Sequence, residues 1–196
     1  MSRSAGASES PVVEFALRRA PPPSDALMPR VFLGLAIGNV LVVAATAFLG
    51  LLGSAGLRNH HIAIAIFALI LTCLVQVLAF TYFTVTFKLM GQAVHIGKSA
   101  LDPLQQAKRL KLQMTRCLGL VVGAVLVATA SGASSWREGA GAAMHLVTGL
   151  VLPILVTYVL SIEYSLIARN TVLVGAVMHH FESQKNAPTH PHRKLG

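Results

Sequence analysis

The sequence has little charge. Only 12% of its 196 residues are Asp, Glu, Lys or Arg, about half the roughly 25% of a soluble domain. So few ionisable side chains cannot cover a water-facing surface. The 54% of hydrophobic residues, clustered into long runs, point instead to lipid as the solvent. Acid is scarcer still, with 7 acidic against 16 basic residues and a net charge of +9. That imbalance excludes a nucleic-acid surface, because the basic residues flank apolar runs and no aromatics interleave with them as base stacking requires. Membrane orientation and anionic lipid account for them better. There are only two cysteines, Cys73 near the middle of one run and Cys117 at the start of another. Their different depths exclude a disulfide framework. The chain contains no phosphate loop, catalytic triad, HExxH motif or CxxC pair, which excludes a nucleotide-driven or hydrolytic enzyme.

What is present is a set of four apolar spans. His60 to Lys88 carries no formal charge between its end residues. At about 1.5 Å per residue it outruns a hydrocarbon core of roughly 30 Å. Val31 to Leu52 is the first span and carries Gly34-x-x-x-Gly38; His60 or His61 to about Phe87 is the second. After Gly91 the chain is expected to leave the membrane. Asp102-Pro103 reads as an N-cap followed by proline at the first helical position. From there a basic helix with Lys108, Arg109, Lys111 and Arg116 continues unbroken into the third span, about Cys117 to Ser131. Gly119-x-x-x-Gly123 and Ala124-x-x-x-Ala128 predict that this span packs tightly inside the bundle. The fourth runs from about Ala143 to Ile167, with Pro153 as a point of kinking, and its helical pattern continues to about Phe181.

Residues 1–30, rich in Ser, Ala and Pro, read as a disordered N-terminal tail, with a short amphipathic turn open at Val12 to Arg19. Residues 31–181 form the transmembrane domain, and 182–196 a polar C-terminal tail. The short loops 53–59 and 132–141 hold two basic residues, Arg58 and Arg137, leaving 14 of the 16 in the N-terminal tail, the 88–116 connection and the C-terminal segment from Arg169 onward. The positive-inside rule then places both termini in the cytoplasm. The expected fold is all-α: a four-span antiparallel transmembrane helix bundle, multi-pass in a cell membrane of the bacterial inner-membrane kind. Trp136 suits the headgroup layer.

This topology puts His61 and His145 at one level, near the outer ends of spans two and four. Imidazoles on separate helices are common axial ligands of a b-type heme held in a bundle core, and Gly149 one turn after His145 leaves room for a flat ring. Such a bundle with outer histidines is similar in architecture to membrane cytochrome b subunits. The bland alternative is that both are interfacial polar residues. A copper or zinc variant would use His60, His61 and His145, with Glu138 nearby, but needs His60 in the loop because adjacent helical residues point about 100° apart. A second polar layer, Asn39, Gln76 and Thr157, falls in the inner half of the bilayer, where Thr72 and Gln76 share a helix face. It reads as inter-helix glue or as a pocket for a small polar headgroup such as a quinone.

Glu163 is the only acidic residue near a span interior. It is expected to pair structurally with Arg116 or Lys88 at the bundle base, with proton transfer as the alternative. Tyr82, Tyr158 and Tyr164 read as belt or packing residues, and His179, His180, His190 and His192 as solvated tail residues. The function expected first is a small non-catalytic membrane subunit that scaffolds or anchors a larger assembly, with other membrane subunits or its own copies as partners. A heme-carrying redox protein is the second, and a proton- or solute-conducting protein the third.

Overall fold

The computed structural model describes residues 27–52, 55–97, 102–134 and 139–185. The described residues form four long helices: α1 (Leu27–Leu52), α2 (Arg58–Gly97), α3 (Asp102–Ser134) and α4 (Ala140–Lys185). A single 3-10 turn, Ala55–Leu57, leads into α2. All four are long and apolar enough to cross a membrane, which makes the chain a multi-pass membrane protein by length and composition. Residues 1–26 and 186–196, and the loop with Trp136, Arg137 and Glu138, lie outside the described residues, whereas residues 27–30 of the expected N-terminal tail belong to α1 and residues 182–185 of the expected C-terminal tail to α4.

Local sequence explains where the helices start and run. Pro29 sits in the first turn of α1, where its missing N–H has no intrahelical partner to lose. Asp102 opens α3 with an acidic side chain in the first turn, beside the positive end of the helix dipole. Pro153 lies inside α4 without ending it. There it removes the hydrogen bond that the Gly149 carbonyl would have received, and its ring crowds that carbonyl. The helix of 40 residues at α2 is about 60 Å long, and that of 46 at α4 about 69 Å, so both outrun a core of roughly 30 Å.

Two further differences concern helix length and packing. First, α2 runs past the expected end of the second span at about Phe87 and continues to Gly97. The continuation is held because Met90 packs with Ala107 of α3 and Leu173 of α4 in an apolar cluster of its own. Nearby, Lys111 of α3 places its ammonium 5.4 Å from the Phe87 ring centre and 5.8 Å from that of Phe80, within cation–π range. Second, α3 is not the inner helix. The most apolar stretch of α2 is 28% buried, against 17% for the other three. No atom of a neighbouring helix lies within 4 Å of where a Cβ would stand on Gly34, Gly38, Gly119 or Gly123. Small residues permit close approach but do not compel it, and here larger side chains set the spacing.

Those side chains come from every helix. Phe32 and Ala36 of α1, Val75, Ala79 and Phe83 of α2, Met114 of α3, and Val156, Leu160 and Ile167 of α4 form one buried cluster. The spacing 75, 79, 83 on α2 and 156, 160, 167 on α4 is a single helical face in each case. In lipid, burying these groups yields no hydrophobic gain, since hydrocarbon surrounds the helices anyway. Cohesion must come from dispersion, about 0.1–0.2 kcal/mol per close atom pair, and from polar pairs between helices.

Candidate functional site

His61 is the fourth residue of α2 and His145 the sixth of α4. Each is partly buried, and the structure brings the two together, their ring centres 6.1 Å apart and their planes at 79°. Each ring is held by the preceding helix. The Nδ1 of His61 lies 3.0 Å from the Thr46 carbonyl of α1. A carbonyl can only accept, so Nδ1 carries the proton and Nε2 the lone pair. The Nδ1 of His145 lies 3.4 Å from the Ser131 Oγ of α3. The same hydroxyl lies 2.8 Å from the Ala128 carbonyl, to which it can donate. Thr148 adds a 2.9 Å contact to the same oxygen. His61 is thus set in the tautomer that leaves Nε2 bare, and His145 is anchored through Nδ1 to a hydroxyl.

The backbone is shaped to hold the rings. A Cβ on Gly50 of α1 would stand 3.1 Å from Cε1 of His61, and one on Gly132 of α3 would stand 3.1 Å from Cε1 of His145. At both places glycine lets a helix pass an imidazole edge that any larger residue would push away. Around the pair lies a cavity of about 840 Å³, within the roughly 300–1,000 Å³ of small-molecule sites. Its walls are mostly apolar, with Thr46, Arg58, Thr72 and Thr129 as polar points. Gly149 lines it too, and no side chain fills the space beside that glycine.

Two imidazoles on opposite sides of one metal ion have ring centres about 6 Å apart, from metal–nitrogen bonds of about 2 Å and a further 1 Å or so to each ring centre. The observed 6.1 Å fits that separation. The engaged Nδ1 atoms fit the usual arrangement in which a ligating histidine donates its other N–H to a fixed acceptor. The three-histidine alternative fails. His60 lies within α2 and not in a loop, so it points away from His61 and is exposed. Among the described residues no group of three or more His, Cys, Asp or Glu could hold an ion.

The second polar layer divides into pairs. Thr72 Oγ1 donates to Asn39 Oδ1 at 2.9 Å, and Gln76 Nε2 donates to Glu163 Oε2 at 3.1 Å. Thr157 belongs to neither; it is exposed and its hydroxyl bonds the Pro153 carbonyl within its own helix. Further along, Asn170 donates to Thr86 at 2.9 Å, and the Tyr82 and Thr171 hydroxyls meet at 2.7 Å. Both pairs escape a reading of the sequence, because Asn170 and Thr171 lie past the expected end of the fourth span at Ile167 while Tyr82 and Thr86 lie within the second.

Glu163 is fully buried, while Arg116 and Lys88 are exposed, and no ion pair joins either to it among the described residues. Helix phase explains this. Arg116 is two positions from buried Met114, and Lys88 two from buried Thr86 and Met90, a rotation of about 200° onto the outer face. Glu163 stands on the inner stripe of α4 with Leu160 and Ile167 and meets α2 instead. Cys73 and Cys117 are free thiols.

The sequence reading found the two histidines but not their supports, Thr46, Gly50, Ser131 and Gly132. A signal existed: in both hairpins a glycine near the end of the odd-numbered helix precedes a histidine near the start of the next, Gly50 before His61 and Gly132 before His145. Comparison of the chain with protein-family models, with curated proteins and with solved structures returns no match.

Proposed function

We propose that this protein is a membrane b-type heme protein, with His61 and His145 as the two axial ligands in an antiparallel bundle whose termini face the cytoplasm. The observation that carries the reading is the 6.1 Å separation of two imidazoles on different helices, each with Nδ1 engaged. The heme supplies one-electron transfer when bound. The chain's own part is to hold the two rings in place through Thr46 and Ser131, and to admit a flat group beside Gly149. Arg58, at the start of α2, lines the same cavity and would give a heme carboxylate a cationic partner. Reduced-minus-oxidised spectra of the purified protein are expected to show sharp α and Soret bands. A colourless preparation from heme-replete cells would remove the reading.

The second reading is a non-catalytic subunit that anchors a larger membrane assembly or pairs with its own copies. It is favoured by Gly34, Gly38, Gly119 and Gly123, which form small-residue steps that no helix of this chain fills. The two readings are compatible, since a heme-carrying anchor would serve both. For the orientation, reporter fusions at Ala55 and Ser134 are expected to signal outside the cytoplasm, and a C-terminal fusion inside it. A cytoplasmic signal from either loop would reverse the assignment.

A further inference from the structure

At the opposite end of the bundle from the histidines, a groove of about 410 Å³ lies between α3 and α4. One wall is the α3 face of Gln113 and Arg116, and the other is the α4 face of Ile162, Ser165, Leu166 and Arg169. These positions recur at three- and four-residue intervals, so each set lies along one side of its helix. Two arginines therefore line one groove, and among the described residues no acidic one lines it. Glu163, the nearest acid along α4, is turned inward onto Gln76. Like charges placed together without an acid between them repel unless an anion joins them.

Depth identifies the kind of anion. Ser131 marks the level of His145, because the two side chains touch. From that level Arg116 lies about 22 Å along α3 and Arg169 about 36 Å along α4, at 1.5 Å per residue. The two values bracket the far edge of a hydrocarbon core of roughly 30 Å. The apolar part of the groove, Ile162 and Leu166, lies on the hydrocarbon side of Arg169, where an acyl chain would run. Gln113 adds a neutral donor beside the cations, while the Ser165 hydroxyl donates to the Ser161 carbonyl of its own helix at 3.1 Å.

We propose that this groove is a binding site for one anionic phospholipid, its phosphate held by Arg116 and Arg169 and its acyl chain lying on Ile162 and Leu166. A planar guanidinium suits bidentate contact with phosphate oxygens, and basic pockets between membrane helices are the usual place for such headgroups. Which leaflet supplies the lipid follows from the orientation proposed above. The site itself depends neither on that orientation nor on heme.

The test uses the full chain in neutral detergent. Phosphatidylglycerol is expected to raise Tm by roughly 5–10 °C, the size set by a ligand well above its Kd, while phosphatidylcholine and inorganic phosphate leave it unchanged. Native mass spectrometry is expected to retain one phosphatidylglycerol per chain. Arg116→Gln with Arg169→Gln should abolish both effects, and Lys108→Gln with Arg109→Gln, basic residues outside the groove, should preserve them. Ser165→Phe, which fills the groove without altering charge, should also abolish them. An equal shift with phosphatidylcholine, a shift with phosphate alone, or phosphatidylglycerol binding that survives the double arginine replacement would each overturn the assignment. So would the absence of any shift.

Discussion

Replacing either His61 or His145 by Leu is expected to abolish the heme spectrum, while His60→Leu leaves it intact. The difference rests on geometry. His61 and His145 face each other across 6.1 Å, while His60 is turned to the exterior one residue away. Ser131→Ala should act more gently. It removes the hydroxyl that orients His145, and loss of such a supporting partner typically weakens metal affinity by about 10–100-fold. Thr46→Ala should do less than Ser131→Ala, because His61 is held by the Thr46 backbone carbonyl, which alanine retains. Gly132→Leu should mimic loss of His145, since its side chain would begin 3.1 Å from the imidazole. Heme titration followed by absorbance measures all six. Spectra that persist in both histidine variants would show that the ligands lie elsewhere.

The second large effect concerns the polar pair at the centre of the bundle. Gln76→Leu is expected to destabilise the protein by about 1–3 kcal/mol or more, because it strips the buried Glu163 carboxyl of its hydrogen-bond donor. The other carboxyl oxygen, Oε1, already has no protein partner, so nothing nearby takes over. For a chain of this length that is a fall in Tm of roughly 2–4 °C per kcal/mol. Combining Gln76→Leu with Glu163→Leu should recover much of the loss, because replacing both members of a buried polar pair by apolar groups can be nearly neutral. Thermal unfolding of the two single variants and the double variant in detergent gives the coupling directly. Strictly additive losses would mean that the two side chains do not support each other. Arg116→Gln should add its small effect independently in either background, since it is exposed and unconnected to Glu163.

The same pair distinguishes the conducting reading of Glu163 from a structural one. A structural carboxyl loses its role with Gln76, whatever its surroundings conduct. Proteoliposomes carrying Glu163→Gln would report on proton flux separately from stability.

Most of the fold was readable in one dimension. Low charge, long apolar runs and basic residues at their flanks fix the solvent, and with it the helical state, because a backbone in hydrocarbon must satisfy its own hydrogen bonds. Helix starts at Asp102 and the unbroken passage of α3 from a basic segment into a span also follow from local chemistry. The candidacy of His61, His145 and Glu163 rests on composition alone, since a polar group at membrane depth requires a reason.

What the tertiary structure decided is which side chains meet. The depth of Glu163 could be counted along the helix, and so could that of Arg116 and Lys88, but depth does not say which face looks inward. Helix rotation turned Arg116 outward to line a groove with Arg169, and Glu163 inward to Gln76. It also left Thr157 on the outside of the polar layer it was expected to join. For the histidines, only helix crossing could set a ring separation of 6.1 Å and align Gly50 and Gly132 with the two imidazole edges. In lipid an apolar residue is as comfortable facing the bilayer as facing the core, so hydrophobic periodicity carries almost no rotational information. Rotation is chosen instead by packing and by the few polar side chains that must find one another.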